Sequence, residues 1–164
     1  MAKKGSKSSN NRIDDVDFGP MVNKVLSNRY RLKCKNEAQK EYARIITNHE
    51  ITVAYGPAGT GKSFIAIARA IELLQNVSNS YGKIIIAKPA VEADEKLGFM
   101  PGTEREKMEP HIASSLDIFD KIIGKYNRMR LEELDTLIIQ PLGFIRGKSI
   151  DNSIIIIEEA QNLS

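Results

Sequence analysis

Apolar residues recur along the chain with two different spacings, one typical of amphipathic helices and one typical of buried strands. Helical spacing is found in three stretches, residues 36–47, 64–74 and 111–125. Short β-branched runs that predict strands are found in four, residues 51–55, 83–87, 136–140 and 153–157. Glycines and prolines interrupt residues 97–110, which are therefore predicted to be a loop. Because strands alternate with helices, we expect an α/β fold with a parallel sheet flanked by helices.

Composition divides the chain into three parts. Residues 1–12 are rich in Lys, Ser and Asn and are predicted to be a disordered basic tail. Residues 13–35 are predicted to be an N-terminal extension, in which residues 14–30 have no clear period and are predicted to be a loop with a short helix. Residues 36–164 carry the alternating helices and strands, and their length suits a single domain.

The overall composition narrows the class of protein. Of all residues 41% are apolar, and no apolar run approaches the roughly 20 residues needed to span a bilayer. The first residues, Met1-Ala2-Lys3-Lys4, lack the apolar core of a secretion signal. Cys34 is the single cysteine, so it has no partner for an internal disulfide, as is usual in a reducing compartment. We therefore expect a cytoplasmic protein.

The net charge of +3 is unevenly distributed. Residues 1–50 hold 11 Lys/Arg and 6 Asp/Glu, whereas residues 51–164 hold 13 and 15. The basic residues of the first part form two groups, Lys3, Lys4, Lys7 and Arg12, then Lys24, Arg29, Arg31, Lys33 and Lys35. Such a patch can contact the phosphates of a nucleic acid, or it can be an ordinary solvated surface. Both interpretations stay open at this point.

A glycine-rich loop joins the strand at 51–55 to the helix at 64–74. Its sequence, Gly56-Pro57-Ala58-Gly59-Thr60-Gly61-Lys62-Ser63, fits the phosphate-binding pattern G-x-x-x-x-G-K-[ST]. The glycines permit positive φ angles, and the following helix offers N–H donors and a partial positive charge to an anion. Lys62 can reach the β- and γ-phosphates, and the Ser63 hydroxyl can bind Mg²⁺. The pattern predicts that the chain binds a nucleoside triphosphate.

Two acidic residues follow the isoleucine-rich strand at 153–157. Ligands of parallel sheets bind at the carboxyl ends of the strands, so we expect Glu158 and Gly56 to face one site. One carboxylate of such a site holds Mg²⁺ and a neighbour orients the attacking water. We assign Glu158 to the magnesium ion and Glu159 to the water. The alternative is a strand that ends in a solvated acidic turn.

The glycine loop and the acidic pair belong to a longer series of motifs. The others are Lys88 to Gly102 (KPAVEADEKLGFMPG), Glu106 to Pro110 (EKMEP) and Pro141 to Ser149 (PLGFIRGKS), and the acidic pair itself continues as Glu158 to Asn162 (EEAQN). Together they resemble the PhoH family of P-loop ATPases, over about residues 36–164. Proteins of that family are similar to the nucleotide-binding core of superfamily 1 helicases. They are associated with phosphate starvation and RNA metabolism, and relatives occur in phages, where the host cytoplasm is the expected location.

The resemblance implies an ATPase that uses ATP and Mg²⁺, acts with RNA or single-stranded nucleic acid, and assembles into a homo-oligomeric ring such as a hexamer. Gln39 matches a helicase-like glutamine that reads the adenine edge with its amide. Gln39 is also spaced from Asn36 as in a helix capping box, and both roles stay open. Arg146 is expected to meet a phosphate, either of ATP across a subunit interface or of RNA. An ordinary surface ion pair is the alternative for Arg146.

The chain departs from the family pattern at several positions. Lys88 stands where the family commonly has Arg, and Glu158 stands where it has Asp. One extra methylene moves a carboxylate by about an ångström, enough to slow a reaction that depends on positioning. The alternative function is therefore a nucleotide-binding module with little or no hydrolysis. The resemblance also implies a further strand between strands 51–55 and 153–157. We therefore expect a domain truncated after the second of these strands, or completed by another chain.

Overall fold

Five α-helices and three strands make up the described part of the chain, which in a computed structural model comprises residues 18–76, 78–89, 104–145 and 150–163. The helices are α1 (Phe18–Val25), α2 (Glu37–Asn48), α3 (Lys62–Leu74), α4 (Glu104–Ile123) and α5 (Lys125–Glu133). The strands are β1 (Lys83–Lys88), β2 (Leu137–Pro141) and β3 (Ser153–Ile157). Two short 3-10 helices, Leu142–Ile145 and Ala160–Asn162, follow β2 and β3.

The three strands form one parallel sheet in the order β2-β1-β3. Strand β1 is central, and its Ile84 lies between Leu137 of β2 and Ile154 of β3. All three strands are rich in isoleucine, whose branched side chain suits a pleated, buried surface. The parallel sheet with its flanking helices confirms the predicted α/β fold, and each of these three strands begins within one residue of its predicted start.

The hydrophobic core lies against one face of this sheet, where Ile84 and Ile86 of β1 are fully buried. The helices cover that face with large apolar side chains, namely Ile67, Ile71 and Leu74 of α3, Phe119 of α4 and Leu131 of α5. Strand β3 shows the alternation that follows from its pleat. Ile154 and Ile156 pack against the core, whereas Ile155 and Ile157 are 40% and 42% exposed.

The predicted loop at 97–110 is wrong in its second part, because α4 begins at Glu104. Residues 97–103 lie outside the described residues. A proline inside a helix removes one backbone hydrogen bond. The sequence therefore predicts a helix that begins only after Pro110. The residues before it (EREKME) are strong helix formers, and their combined propensity offsets that loss.

Helix α5 has no counterpart among the elements predicted from the sequence. Gly124, with a φ of 82°, interrupts the helical path after α4, and the chain resumes as α5. The buried guanidinium of Arg128 holds the two helices together. It pairs with Asp120 of α4 at 2.5 Å and with Glu132 at 2.6 Å, and the hydrogen bond that it donates to Asp120 is the main reason that the pKa of Arg128 is raised. An ionic contact of this kind leaves no trace in an apolar pattern.

Residues 51–55, predicted to be a buried strand, form no strand and face solvent. Ile51, Val53 and Tyr55 are 85%, 82% and 95% exposed. The buried hydroxyl of Thr52 has no hydrogen-bond partner in the described part of the chain. A β-branched run becomes a strand only when a neighbouring strand pairs with it, and none of the described strands pairs with this segment.

Several of the predicted features lie outside the described residues. The basic tail at 1–12 is one of them, and parts of the family motifs at 90–103 and 146–149 are others. Across the residues that are described, no helix has both the length and the apolar character needed to cross a bilayer.

Candidate functional site

The glycine loop has the backbone that its sequence predicts. Gly56, Gly59 and Gly61 have φ angles of 147°, 77° and 91°, a region that other residues rarely adopt. Gly61 is the N-cap of α3, and no side chain caps this helix end. The loop residues are exposed up to Thr60. The first N–H groups of α3 therefore open towards a surface that a ligand can reach.

The side chain of Lys62 folds back over this loop. Its ammonium group donates hydrogen bonds to the carbonyl oxygens of Gly56 at 2.9 Å and Pro57 at 2.8 Å. The Thr60 hydroxyl donates to the same Pro57 carbonyl at 3.0 Å. The positive charge of Lys62 is thus held inside the curve of the loop by groups of the loop itself.

Gln39, at the start of α2, connects that helix to the loop. Its side-chain nitrogen donates to the carbonyl oxygen of Thr60 at 3.2 Å, and its side-chain oxygen accepts from the backbone N–H of Lys35 at 2.8 Å. The Asn36 side chain caps α2 by accepting from the Gln39 backbone N–H at 2.9 Å. The capping interpretation therefore holds for Asn36, while the amide of Gln39 also reaches the glycine loop. A Cβ added to Gly61 would lie 3.2 Å from the Gln39 nitrogen.

Helix α3 begins with Lys62 and Ser63 and packs against β1 and β3. Eight residues separate the end of α3 from β1, which starts beside β3, where the N–H of Gly82 donates to the carbonyl of Asn152 at 2.8 Å. Glu158 follows β3 at the carboxyl edge of the sheet.

Glu158 is buried, and the register of the sheet explains its contacts. Ala87 of β1 lies opposite Ile157 of β3, so Lys88 and Glu158 are the next neighbours across the two strands. The backbone N–H of Glu158 donates to the Ala87 carbonyl at 2.9 Å. One carboxylate oxygen of Glu158 lies 3.1 Å from the Lys88 ammonium and accepts a hydrogen bond from the fully buried Ser115 hydroxyl at 2.6 Å.

Glu159, one residue further on, is placed very differently. Its side chain is exposed and accepts a hydrogen bond from the Gln161 amide. Its φ of 53° lies in the left-handed region, which costs a residue with a Cβ about 1–2 kcal/mol. Asp135 and Asn152 have the same left-handed backbone, so the strain alone does not identify a functional residue, but at the end of β3 it is consistent with a functional role for Glu159.

The described contacts bring together some of the predicted site residues and leave others apart. Gln39 contacts the glycine loop, whereas among the described residues no hydrogen bond or ion pair joins the loop to Glu158 or Glu159. Arg146 lies outside the described residues. No cluster of three or more His, Cys, Asp or Glu side chains that could hold a metal ion occurs in the described ranges.

The sequence alone assigns no role beside Glu158 to Lys88 or Ser115. The sequence does contain a signal for Lys88, because the apolar runs 84–87 and 154–157 each end in a charged residue. Placed side by side in a parallel sheet, those two charges become neighbours. No comparable signal exists for Ser115, a small polar residue on the apolar face of α4.

A glycine loop that opens a helix, together with an acidic residue at the end of a parallel strand, defines a P-loop nucleotide-binding protein of the α/β class. The family model described as "PhoH-like protein" matches residues 31–164. The chain belongs to this family of P-loop proteins, as its motifs predicted.

Three relatives show how far the similarity extends. The PhoH-like protein of Bacillus subtilis (strain 168) is 37% identical over 131 residues, which are 80% of this chain and 40% of the relative. The PhoH-like protein of Synechocystis sp. is also 37% identical over 131 residues, 80% of this chain and 39% of the relative. Protein PhoH of Escherichia coli (strain K12) is 34% identical over 132 residues, 79% and 37% of the two chains. The chain thus spans about two fifths of the length of these relatives.

Proposed function

We propose that this chain binds ATP with Mg²⁺ and hydrolyses it to ADP and phosphate, in a cycle coupled to RNA or another single-stranded nucleic acid. The observation that carries the proposal is the glycine loop at the start of α3, with the Lys62 ammonium held against the loop carbonyls. Membership of a family of P-loop proteins supports nucleotide binding independently of that geometry.

The loop and Lys62 are proposed to hold the phosphates. Lys62 would exchange its two carbonyl acceptors for phosphate oxygens, which form stronger, charge-assisted hydrogen bonds. Gly59 and Gly61 let the backbone amides approach these oxygens closely, because no Cβ stands in the way. Both groups would stabilise the negative charge that develops as the γ-phosphate is transferred to water.

Ser63 and Glu158 are the residues that would hold Mg²⁺. Both offer oxygen ligands, and Mg²⁺ in nucleotide sites uses one or two carboxylates together with the substrate phosphates. The Glu158 carboxylate already accepts a cationic group, the Lys88 ammonium at 3.1 Å, so its surroundings accommodate positive charge. When bound, the ion neutralises charge on the β- and γ-phosphates.

Glu159 is proposed to orient the water that attacks the γ-phosphate. Its exposed carboxylate is available to a water molecule, and the hydrogen bond from Gln161 restricts its rotation. A carboxylate in this position accepts the hydrogen bond, and then the proton, of the attacking water. The left-handed backbone at Glu159 is the strained feature that this role would explain.

Gln39, Arg146 and a ring assembly complete the proposal. Gln39 would read the adenine edge once its amide leaves the Thr60 carbonyl and the Lys35 N–H. Arg146 would contact a phosphate, either of ATP in a neighbouring subunit or of RNA. A homo-oligomeric ring, such as a hexamer, would bring Arg146 to that neighbour, and the mass of the purified chain in solution tests this part.

A nucleotide-binding module with negligible turnover is the second candidate function. The contacts of Glu158 favour it, because Lys88 and Ser115 both contact one oxygen of the carboxylate that would hold a metal ion. Mg²⁺ and ATP would then bind through the loop and Lys62, while the acidic half of the site stays paired within the protein.

Two substitutions and one control separate these functions. Lys62→Ala is expected to abolish ATP binding, and with it any turnover. Glu159→Gln is expected to retain binding and lose turnover. Lys121→Ala, on the exposed side of α4, removes the same charge elsewhere and should change neither. Binding is measured by titration with labelled ATP, and turnover by phosphate release with and without RNA.

The outcomes are distinct. An ATP affinity unchanged by Lys62→Ala would contradict the proposal as a whole. A Glu159→Gln protein that hydrolyses ATP at the parent rate would contradict the role of Glu159. A parent chain that binds ATP with Mg²⁺ but releases no phosphate, with or without RNA, would establish the second candidate.

A further inference from the structure

Residues 29–35, here named the basic strap, alternate between exposed basic side chains and partly buried ones. The exposed side chains are those of Arg29, Arg31, Lys33 and Lys35. The partly buried ones are those of Tyr30, Leu32 and Cys34. A period of two is that of an extended chain with one face packed against the protein. The four cations therefore project from the same face of the basic strap.

Hydrogen bonds fix the course of the basic strap along α3. The Tyr30 N–H donates to the side chain of Gln75 at 3.1 Å, and the Leu32 N–H donates to that of Glu72 at 2.7 Å. Gln75 follows the last residue of α3 and Glu72 lies one turn earlier, so the basic strap runs back along the helix towards the glycine loop. Burial, and then the nearby Glu72 carboxylate, raise the pKa of the Tyr30 phenol, in agreement with an inward face.

The far end of the basic strap is connected to the glycine loop through Gln39. The Lys35 N–H donates to the Gln39 side-chain oxygen at 2.8 Å, and the Gln39 nitrogen donates to the Thr60 carbonyl at 3.2 Å. Two hydrogen bonds thus separate the last cation-bearing residue of the basic strap from the backbone of the loop.

The charges of the basic strap are available to a partner. None of its four cationic side chains forms an ion pair with another residue that the structure describes. Lys40, Arg44 and Arg69, which line a cavity of about 300 Å³ beside Leu32 and Cys34, differ in this respect. Each of these three is paired with a glutamate of its own helix.

The spacing and chemistry of the exposed face indicate the kind of partner. Alternate residues of an extended chain lie about 6.6 Å apart, close to the spacing of consecutive phosphates along an extended polynucleotide. The exposed face carries no aromatic side chain on which a base could stack, and no apolar anchor of the kind that dominates protein interfaces. Such a surface contacts phosphates and leaves the bases unread.

We infer that the basic strap binds single-stranded nucleic acid through its phosphates, and that Gln39 transmits this contact to the glycine loop. The second part rests on the proposed function, because it requires turnover of ATP at that loop. The first part does not, since nucleic acid binding is measured without nucleotide.

The test compares two pairs of substitutions of equal charge. The strap pair, Arg31→Gln with Lys33→Gln, removes two cations of the basic strap. The control pair, Lys121→Gln with Lys125→Gln, removes two exposed lysines at the end of α4 and the start of α5. Binding of a labelled single-stranded RNA of mixed sequence is followed by fluorescence anisotropy over a range of salt concentrations. Thermal melting verifies that both double variants are folded.

Four phosphate contacts predict a slope of about −3 for the logarithm of affinity against that of salt concentration, and the strap pair should halve it. At about 0.1 M salt each lost contact costs roughly fivefold in affinity, so the strap pair should bind roughly 25-fold more weakly. The control pair should bind as the parent does. A strap pair with parental affinity, equal losses in both pairs, or equally tight binding of a duplex of the same sequence would each overturn the inference.

The coupling is read from ATP turnover. RNA should stimulate the parent and the control pair, whereas the strap pair should keep the basal rate and lose the stimulation. Full stimulation of the strap pair would overturn the inference that nucleic acid contact at the basic strap is transmitted to the glycine loop. A parent that binds RNA but not ATP would contradict the proposed function. It would not contradict nucleic acid binding by the basic strap.

Discussion

The two halves of the candidate site differ in how firmly the rest of the chain holds them. The glycine loop is exposed and follows a segment that pairs with no described strand. Among the described residues, its side-chain hydrogen bonds are internal, except for the one from Gln39. Glu158, in contrast, follows a paired strand, and its buried carboxylate contacts two other elements, through Lys88 of β1 and Ser115 of α4.

The glycine loop therefore depends on local sequence, whereas the position of Glu158 depends on long-range contacts. The shape of the loop is determined by its own glycines, so changes there should affect the ligand and leave the fold almost untouched. The position of Glu158 depends on strand register and helix packing. Changes around Glu158 should therefore lower the free energy of unfolding even when no ligand is present. Three substitutions, Glu158→Ala, Ser115→Ala and Lys62→Ala, each compared with a matched variant, test this contrast in order of decreasing effect on stability.

Glu158→Ala is expected to lower the free energy of unfolding by about 2 kcal/mol, because the buried Ser115 hydroxyl loses its acceptor and Lys88 loses a carboxylate. Glu158→Gln keeps an oxygen acceptor of the same shape and should lose less than half as much. Urea denaturation monitored by circular dichroism measures both values. Equal losses for the two variants would show that the hydrogen bond to Ser115 contributes nothing.

Ser115→Ala should cost less, about 1 kcal/mol, since it removes one buried hydrogen bond but leaves the ion pair with Lys88 in place. Ser114 is the matched control, because it is exposed and its hydroxyl lies at the limit of hydrogen-bond distance from Lys88, 3.5 Å. Ser114→Ala should change stability by less than about 0.5 kcal/mol. A Ser114→Ala protein as unstable as Ser115→Ala would show that the buried hydroxyl contributes no more to stability than the exposed one.

The same contrast explains how much of the structure the sequence predicts. The glycine loop, α2, α3 and the three strands of the sheet are encoded by nearby residues, and their patterns predict them well. Residues 51–55 have an equally clear strand pattern, but a strand also needs a partner, which the pattern does not supply. Helix α5 is missed for the opposite reason: it has few apolar residues to form a pattern, and the ion pairs of Arg128 hold it in place.

Within the site, local patterns predict the residues and long-range packing decides their surroundings. Gly61, Lys62 and Glu158 were identified from motifs a few residues long. The burial of Glu158 against Ser115 joins positions 43 residues apart, and its pairing with Lys88 depends on the register between β1 and β3. Neither relation is visible until the strands are aligned.

Lys62→Ala should have the smallest effect on the stability of the ligand-free chain, less than about 0.5 kcal/mol, because the bonds of its ammonium lie in an exposed loop. The substitution should matter only when a ligand is added. ATP at 100 times its dissociation constant stabilises a protein that binds it by about 2.7 kcal/mol. The parent should therefore gain that amount on addition of Mg²⁺ and ATP, and Lys62→Ala should gain nothing.

The matched comparison is Glu158→Gln under the same conditions. It starts from a lower stability than the parent, yet it retains the loop and Lys62, so it should still gain stability from ATP. The two variants then show opposite behaviour, one losing the response to ligand and the other losing stability without it. The contrast would be contradicted if Lys62→Ala destabilised the chain by about 2 kcal/mol or more without ATP, which is the loss expected for Glu158→Ala. The loop would then stabilise the fold as strongly as the buried acid does.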